Sequence, residues 1–377
     1  VRIQEANYFF KMSKYQQWLI DHIQANPKFI QPEFRRNETL GFLRKPLQDL
    51  CISRPKSRMA WGIELPFDKD YVCYVWFDAL VNYISAIGYR HDDATFQKWW
   101  PINYHLIGKD ILTTHTVYWP TMLQACGVPQ PQSIFAHGWW LMGGDKMSKS
   151  LGNVVNPMEL ADRYGVDAFR YFLMAEMVLG QDASFSEDSF VRRFNADLAN
   201  DLGNLANRVI NMTKRFCDGK IPTPSANLLA GAEEKALWDL VQGAVAAVAA
   251  GLEEMRPDLA LGQVLGAVKA VNRYFEVKQP WTLGKQADKG PINDVLYLAA
   301  ESLRVTSQLL HPVMPGKMDQ LRASLGLRGP CTWAELHAFG KFPPGREVRE
   351  DGPLFPRVER EEPKPTVAAA PAAVAPP

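Results

Sequence analysis

The sequence predicts an α/β region followed by an all-α region, and three features of the 377 residues lead to this prediction. Short β-rich runs alternate with helical runs between about residues 52 and 142, which is typical of a doubly wound parallel sheet. Long amphipathic runs with short connections follow from about residue 157, which is typical of a helical bundle. From about residue 346 the chain becomes rich in Pro and Ala, a composition that cannot bury a core and indicates a tail or linker.

The predicted elements follow from hydrophobic spacing. Residues 8–26 have apolar side chains at helical spacing and are predicted to form a helix. Residues 28–50 are predicted to continue as helices, with Asn37-Glu38-Thr39 as a cap-like entry. The strand-like runs are Tyr71–Trp76, Tyr104–Ile107 and Ser133–Met142, and the helical runs between them are Ala79–Tyr89 and Ile111–Ala125. Gly143-Gly144-Asp145 is predicted to end this region. The predicted bundle helices are 157–164, 167–179, 186–216, 230–253, 257–278, 291–311 and 315–325.

Composition excludes several classes of protein. Lys plus Arg number 42 and Asp plus Glu number 41, which rules out a polyelectrolyte and a histone-like basic protein but leaves local nucleic-acid binding open. No run of 18 apolar residues predicts a membrane span. The five cysteines are widely spaced, without a Cys-x-x-Cys pair, so we expect no disulfide framework, no cysteine-based zinc site and a reducing cytoplasm as the location.

One pentapeptide has a pattern suited to phosphate chemistry. Lys146-Met147-Ser148-Lys149-Ser150 follows two glycines and precedes Leu151-Gly152-Asn153. Two ammonium groups three residues apart can neutralise charge on the β- and γ-phosphates of a nucleotide, and the serines can donate hydrogen bonds. The alternative is a solvated surface loop rich in Lys and Ser. No P-loop motif competes for the phosphate role in this sequence.

These residues resemble a known family. Lys146–Ser150 is similar to the KMSKS signature of class I aminoacyl-tRNA synthetases. Three further segments, at Tyr74–Leu80, His105–Asp110 and Asn204–Arg208, resemble bacterial methionyl-tRNA synthetase, and the similarity extends from about residue 4 to 340. Valyl and leucyl enzymes share the signature, but their counterpart of Asp78-Ala79 usually reads Asp-Ser, which favours methionine.

The resemblance implies a binding site for each substrate. The methionine pocket would be lined by Trp76, Ala79, Leu80, Tyr83, Ile111 and His115. ATP, with Mg²⁺, would be bound by Gly108, Asp110, His137, Gly138, Trp140 and Lys149, and the catalytic residues would be Lys149, Lys146, Ser148 and Ser150. Ligands bind beyond the carboxyl ends of parallel strands, where Trp76 and Gly108 are predicted to lie. From the residues alone, Trp76 and Tyr83 fit ordinary core aromatics better than pocket residues, and Gly-Lys-Asp fits a turn with a helix N-cap equally well.

The helical half resembles the anticodon-binding part of the family. By similarity Asn204, Arg208 and Trp281 would read the CAU anticodon of tRNA(Met), through hydrogen bonds to bases and stacking on the indole. Asn204 and Arg208 stand four residues apart and therefore share one helix face. The alternative is a tryptophan between bundle helices, with Asn and Arg on a solvated face.

The sequence also departs from the family pattern. The His-x-Gly-His element is absent, because Ala136-His137-Gly138 lacks the second histidine, and the zinc-binding Cys cluster of the inserted subdomain is absent too. Thr114 is small and polar where the family can have an aromatic residue. We therefore expect a C-terminal portion of a methionyl-tRNA synthetase, inactive alone, in which Val1 begins near the end of that insertion.

The predicted organisation has five parts. Residues 1–51 are the helical end of the connective insertion, 52–142 the second half of a class I Rossmann-type sheet, 143–185 the KMSKS loop and stem-contact region, 186–345 the anticodon-binding bundle, and 346–377 the tail. The expected function is methionine–tRNA ligase, with methionine, ATP and tRNA(Met) as partners, without zinc or membrane. Two alternatives stay open, a non-catalytic tRNA-binding module and another class I synthetase. A homodimer formed through a domain beyond the tail also stays open.

Overall fold

The structure is a computed structural model that describes residues 5–147, 154–329 and 332–359. The chain forms two compact units. Unit 1 comprises residues 1–140 and 179–183, and unit 2 comprises residues 141–178 and 184–377. The predicted division into five parts stays a prediction.

Unit 1 is a mixed α/β unit. Its strands and helices are, in chain order, β1 (Phe9–Phe10), α1 (Gln16–Ala25), β2 (Ile30–Gln31), α2 (Glu33–Phe42), β3 (Leu50–Cys51), β4 (Ser53–Pro55), β5 (Glu64–Leu65), β6 (Asp68–Cys73), α3 (Val75–Ser85), α4 (Asp93–Trp99), β7 (Tyr104–Gly108), α5 (Trp119–Cys126) and β8 (Ser133–His137). A 3₁₀ turn at Lys109–Ile111 and a π-helix at Thr114–Tyr118 connect β7 to α5.

A parallel sheet lies at the centre of unit 1. Its strand order is β2-β8-β7, and both pairs are parallel. Ile30 pairs with Ile134, and Gly108 pairs with His137, so the carboxyl ends of β7 and β8 lie side by side. The predicted strand Tyr104–Ile107 is confirmed apart from one extra residue at its end.

The prediction of helix throughout residues 28–50 is wrong, because Ile30–Gln31 is a strand of that sheet. Pro32 disfavours helical backbone at Gln31, and Ile30 is fully buried beside β8. Asn37–Thr39 lies inside α2 and does not start it. Residues 8–26 contain β1 and a 3₁₀ turn before α1 begins at Gln16.

The expectation that Trp76 ends a parallel strand is also wrong. β6 ends at Cys73 and pairs antiparallel with β4 and β5. The backbone N–H groups of Phe77 and Asp78 both donate to the Tyr74 carbonyl, which opens α3 and places Trp76 in its first turn.

The predicted strand Ser133–Met142 is two strands. β8 ends at His137, and β9 (Trp140–Met142) follows after Gly138. A side chain at Gly138 would place its Cβ 2.1 Å from the Gln181 carbonyl oxygen, so only glycine fits where the chain turns away from the sheet. Trp140 therefore does not continue the strand of His137.

Unit 2 begins with a hairpin and continues as helices. β9 pairs antiparallel with β10 (Asp145–Lys146), and Gly143 and Gly144, both at positive φ, form the turn. Asp145 therefore begins strand β10, although Gly143-Gly144-Asp145 was predicted to end the α/β region. The remaining elements are α6 (Pro157–Tyr164), α7 (Val166–Glu176), β11 (Ala183–Phe185), α8 (Glu187–Arg193), a π-helix (Phe194–Gly203), α9 (Asn204–Phe216), α10 (Ala232–Glu253), α11 (Pro257–Lys278), α12 (Pro280–Leu283), α13 (Gly290–Leu310), α14 (Pro315–Ser324) and α15 (Trp333–Leu336).

The predicted bundle helices are confirmed, several within one or two residues of their ends. α13 forms the centre of the bundle, since nearly every residue from Ile292 to Leu310 is buried. α10 is long and apolar enough to cross a membrane by length and composition alone, which the sequence analysis did not foresee. In unit 2 it packs on α11 and α13 through buried Leu237, Trp238 and Val241, as a core helix does.

Candidate functional site

The expected ATP-binding residues of unit 1 meet at the carboxyl ends of β7 and β8. Gly108 and His137 are paired across the two strands, and Asp110 follows in the 3₁₀ turn after β7. A Cβ on Gly108 would lie 2.6 Å from Asp110 Oδ1, so glycine leaves room for this carboxylate. The His137 Nδ1–H donates to the Gly138 carbonyl at 2.7 Å, since a carbonyl oxygen only accepts.

Three residues that the sequence analysis missed surround this edge. Lys109 Nζ lies 2.6 Å from Asp182 Oδ2 and 4.1 Å from the centre of the Trp139 ring. The Trp139 backbone N–H donates to Asp182 Oδ1 at 2.8 Å, and its indole N–H donates to Asp110 Oδ1 at 3.4 Å. The hydrogen bond from Lys109 is the main cause that lowers the pKa of Asp182. Asp182 is distant in sequence, and no pattern marked it.

Two of the expected methionine-pocket residues, Tyr83 and His115, are hydrogen-bonded to each other. The Tyr83 hydroxyl lies 2.9 Å from His115 Nε2, and His115 Nδ1 lies 3.0 Å from the Ile111 carbonyl oxygen. Because a carbonyl only accepts, His115 Nδ1 must carry the proton, and its Nε2 accepts from Tyr83. Burial lowers the pKa of His115, while the bond to the Ile111 carbonyl acts in the opposite direction. The pair therefore presents a neutral imidazole and an aromatic hydroxyl.

A buried aromatic cluster supports this pair. His105, on β7, packs against Tyr83 with ring centres 4.3 Å apart and ring planes tilted by 51°, and it accepts a hydrogen bond from Trp119 Nε1 at 3.2 Å. Burial, with a smaller contribution from His115, lowers the pKa of His105 to about 4. Trp100 packs edge-on against Trp119 and donates its indole N–H to the Pro129 carbonyl. His105 begins the segment His105–Asp110 that resembles the family, but the sequence predicts no role for it.

The other expected methionine-pocket residues lie on α3 in different surroundings. Leu80 is 1% exposed and packs in the core with Trp119, whereas Trp76 is half-buried and Ala79 is exposed. A cavity of about 860 Å³ opens beside this helix, between Arg54, Arg58, Trp61, Tyr74 and Asp78. None of the six expected methionine residues lines that cavity, so their role in a pocket stays a prediction.

The phosphate-binding pentapeptide is only partly described. Lys146 is an exposed residue of β10 in unit 2. Ser148, Lys149 and Ser150 lie outside the described residues, so the role expected for them stays a prediction. Within the described ranges, His, Cys, Asp and Glu side chains form no group of three that could hold a metal ion.

The expected anticodon residues lie in one region of unit 2. Asn204 is exposed at the start of α9, and Arg208 NH1, one turn later, lies 2.6 Å from Glu276 Oε1 on α11. α11 ends two residues later, and half-buried Trp281 follows on α12. A side chain at Gly284 would place its Cβ 2.5 Å from the Phe216 ring, so the end of α12 lies close against the end of α9.

The chain has the fold of the class I aminoacyl-tRNA synthetases, with mixed α/β and helical content. A sequence profile described as "tRNA synthetases class I (M)" matches residues 2–210, more than half of the chain. The chain belongs to this family, the methionyl-tRNA synthetases.

Named relatives agree with this assignment. The chain is 43% identical over 365 residues to a methionine–tRNA ligase of Caldanaerobacter subterraneus, covering 96% of this chain and 56% of the relative. It is 43% identical over 363 residues to the methionine–tRNA ligase of Brucella suis, covering 96% of this chain and 69% of the relative. The solved structure of Mycobacterium tuberculosis methionyl-tRNA synthetase in complex with methionyl-adenylate superposes with a TM-score of 0.88 at 38% identity, covering 94% of this chain and 69% of that one. The chain spans about half the length of the first two curated relatives, 56% and 55%.

Proposed function

We propose that this chain is part of a methionine–tRNA ligase, which joins methionine to tRNA(Met) at the expense of ATP. The observation that carries the proposal is 43% identity over 365 residues with a named methionine–tRNA ligase. The arrangement in unit 1 supports it, because an aromatic and imidazole pair lies near a glycine-lined strand edge.

The proposed reaction has two steps. A methionine carboxylate oxygen attacks the α-phosphorus of ATP, the bond from that phosphorus to the oxygen that bridges to the β-phosphate breaks, and pyrophosphate leaves. Mg²⁺, when bound with ATP, would offset part of the phosphate charge. A terminal ribose hydroxyl of the tRNA then attacks the carbonyl of methionyl-adenylate, AMP leaves, and the hydroxyl proton passes to solvent. Both steps depend on positioning and on charge stabilisation.

The residues of unit 1 suit the amino-acid and adenosine parts of these substrates. Aromatic rings make favourable contacts with a thioether sulfur, and Trp76 and Tyr83 are proposed to supply them. The Tyr83 hydroxyl and neutral His115 form the polar end of that pocket. Asp110 is proposed to accept hydrogen bonds from the ribose hydroxyls, while Gly108 lets the adenosine approach the backbone.

The remaining part of the proposal concerns the phosphates and the RNA. Lys146, together with Lys149 and the two serines, is proposed to neutralise charge that develops on pyrophosphate. Asn204, Arg208 and Trp281 are proposed to read the CAU anticodon. Two observations favour this: Asn204 is exposed, and Arg208 is paired with Glu276, five residues before Trp281. The four free cysteines of the described residues suit a reducing cytoplasm.

Methionine-dependent ATP–pyrophosphate exchange tests the ligase. We expect the whole protein that contains this chain to catalyse exchange with methionine, and at least 100-fold less with valine or leucine. Valine is smaller by one non-hydrogen atom, a difference of about 1–3 kcal/mol in an apolar pocket, leucine has a branched shape, and both lack the sulfur contacts. Equal exchange with valine or leucine would contradict the assignment to methionine.

A second candidate is a tRNA-binding module without ligase activity. The 377 residues contain no His-x-Gly-His element, and this favours the second candidate for the isolated chain. The same exchange assay on the 377-residue chain separates the two. Exchange by the chain alone excludes the module, whereas tRNA binding without exchange supports it.

A further inference from the structure

Unit 2 has a second concentration of positive charge, apart from the residues proposed for the anticodon. Two adjoining cavities, of about 470 and 160 Å³, share Gly326, Leu327, Arg328 and Arg346 in their walls. We call them together the arginine pocket. The cationic side chains that line it are Arg304, Arg322, Arg328, Lys341, Arg346 and Arg349. Among the residues that the structure describes, only Glu335 and Glu347 line it with negative charge, although the whole chain has a net charge of +1.

About half of this positive charge has no carboxylate to match it, since the six cations stand against Glu301, Glu335 and Glu347. Arg304 forms a buried ion pair with Glu301, at 2.8 Å. The Glu335 carboxylate accepts hydrogen bonds from the backbone and hydroxyl of Thr332, at 2.7 and 3.0 Å. Within the described ranges, no carboxylate forms an ion pair with any of the other five cations.

Arg322 has the most unusual environment of these side chains. It is 6% exposed, and its guanidinium donates to the carbonyl oxygens of Gly329 at 2.6 Å and Arg304 at 3.5 Å. Carbonyl groups satisfy N–H donors but leave a buried positive charge without a counter-charge, which is unfavourable. An anion in the adjoining cavity reduces that cost.

The backbone holds the pocket in a fixed shape. Gly326, at φ +75°, lies so close to the following segment that a Cβ would stand 2.6 Å from the Glu347 carbonyl oxygen. The Arg349 backbone N–H donates to the Ser324 carbonyl at 2.8 Å. The Ile221 backbone N–H donates to the Arg346 carbonyl at 2.9 Å, which ties the pocket to the chain that follows α9. Arg328 and Arg346 are therefore presented from two segments that cannot separate freely.

We propose that the arginine pocket binds phosphate groups of an RNA backbone, as a second contact of unit 2 with tRNA. This inference rests on the proposed function, since it takes the RNA to be tRNA. Guanidinium groups bind phosphate oxygens in pairs of parallel hydrogen bonds, which compact ammonium groups cannot do.

The position of the pocket favours RNA over a free phosphate ion. α9 carries Asn204 and Arg208 near its first turn and ends at Phe216, five residues before Ile221. At 1.5 Å per residue, the twelve steps from Asn204 to Phe216 span about 18 Å. The five residues from Phe216 to Ile221 add at most about 18 Å more, so Asn204 and the bond from Ile221 to Arg346 are at most about 36 Å apart, which several nucleotides of RNA backbone cover. One RNA can therefore reach both the anticodon residues and the arginine pocket.

Salt-dependent binding of the 377-residue chain to a tRNA transcript tests the proposal. The variants are Arg328→Ala, Arg346→Ala and their double, and the control is Arg192→Ala, which removes an exposed arginine of α8. Each pocket variant should reduce the slope of log K against log salt concentration by about 0.7–0.9, and the double by about twice that. The single and double pocket variants should weaken the binding of a CAU transcript and of a transcript with an altered anticodon equally, because phosphate contacts carry no base information. The control should leave the slope unchanged.

The other outcomes overturn the proposal in distinguishable ways. If the chain prefers the CAU transcript but the pocket variants keep the wild-type slope, the arginine pocket fails and the proposed function stands. If the chain binds both transcripts equally but the slopes of the pocket variants fall, the arginine pocket stands and the anticodon proposal fails.

A second experiment measures the melting temperature of the wild type and of the pocket variants with inorganic phosphate. If phosphate raises the melting temperature of the wild type but not of the pocket variants, and the variants keep the wild-type salt slope for tRNA, the pocket binds free phosphate and the RNA assignment is refuted. Equal circular dichroism spectra confirm that the exposed variants fold.

Discussion

Acid should destabilise unit 1 through His105, which is buried as a neutral imidazole. Its Nε2 accepts the Trp119 indole N–H, and burial, together with His115, lowers its pKa to about 4. In the unfolded chain the histidine pKa is about 6.5. The unfolded state therefore takes up a proton first as the pH falls, so stability is lost between about pH 6.5 and pH 4.

The structure sets the size of this effect. A shift from 6.5 to about 4, at about 1.36 kcal/mol per pH unit, makes a total of about 3 kcal/mol. At pH 5, where the folded state is still mostly unprotonated, the loss relative to pH 7.5 is about 2 kcal/mol. A change of this size is a large fraction of the stability of a typical domain.

Two measurements on the full chain test this prediction. The Cε1–H resonance of His105, assigned by its disappearance in His105→Gln, should titrate below pH 5. Urea unfolding should show that wild type loses about 2 kcal/mol more than His105→Gln between pH 7.5 and pH 5, because a glutamine oxygen can accept from Trp119 without titrating. Titration near pH 6.5, or a difference between the two proteins that stays constant with pH, would refute this account of His105.

Three further predictions concern the sites. Tyr83→Phe removes the hydroxyl that donates to His115, so we expect a loss of about 0.5–1.5 kcal/mol in urea unfolding and a higher KM for methionine in the whole enzyme. Gly108→Ala places a Cβ 2.6 Å from Asp110 Oδ1 and should raise the KM for ATP several-fold in exchange assays, with little change for methionine. Trp281→Ala removes the proposed stacking platform, and fluorescence anisotropy should show tRNA binding weaker by about 1–3 kcal/mol.

Each of these variants has a matched control. Tyr104→Phe removes a hydroxyl without a hydrogen-bond partner in the described structure, and equal destabilisation there would contradict the role of Tyr83. Gly41→Ala adds a Cβ with no atom within 4 Å and should leave both KM values unchanged. Trp333 is 49% exposed on α15, and Trp333→Ala should not affect tRNA binding. Equal losses for the two tryptophan variants would count against stacking on Trp281.

The helices of unit 2 could be predicted from the sequence because their signals are local. Pro157 and Pro257 open α6 and α11 at the first helical position, and apolar residues at helical spacing define the buried face of each helix. Asn204 and Arg208 share a face through helix geometry alone. Strand β7 was also predicted, since its burial alternates along Tyr104–Gly108.

The short strands could not be predicted in the same way. Ile30–Gln31 is only two residues long, and it is a strand because β8 offers hydrogen-bond partners and buries Ile30. Its helical neighbours gave the stronger local pattern. The break between β8 and β9 depends on Gly138 lying against Gln181, which is more than forty residues away along the chain.

The sequence by itself determined the family and the order of an α/β part followed by a helical part, and it supplied most of the proposed site residues, because motifs and helical periodicity are local properties of a chain. Only the tertiary structure decided the chemistry of those residues. The carbonyl of Ile111 sets the tautomer of His115, burial makes His105 neutral, and Asp182 reaches Lys109 across 73 positions. Protonation states and ion pairs depend on groups that folding brings together, and sequence spacing contains no record of those distances.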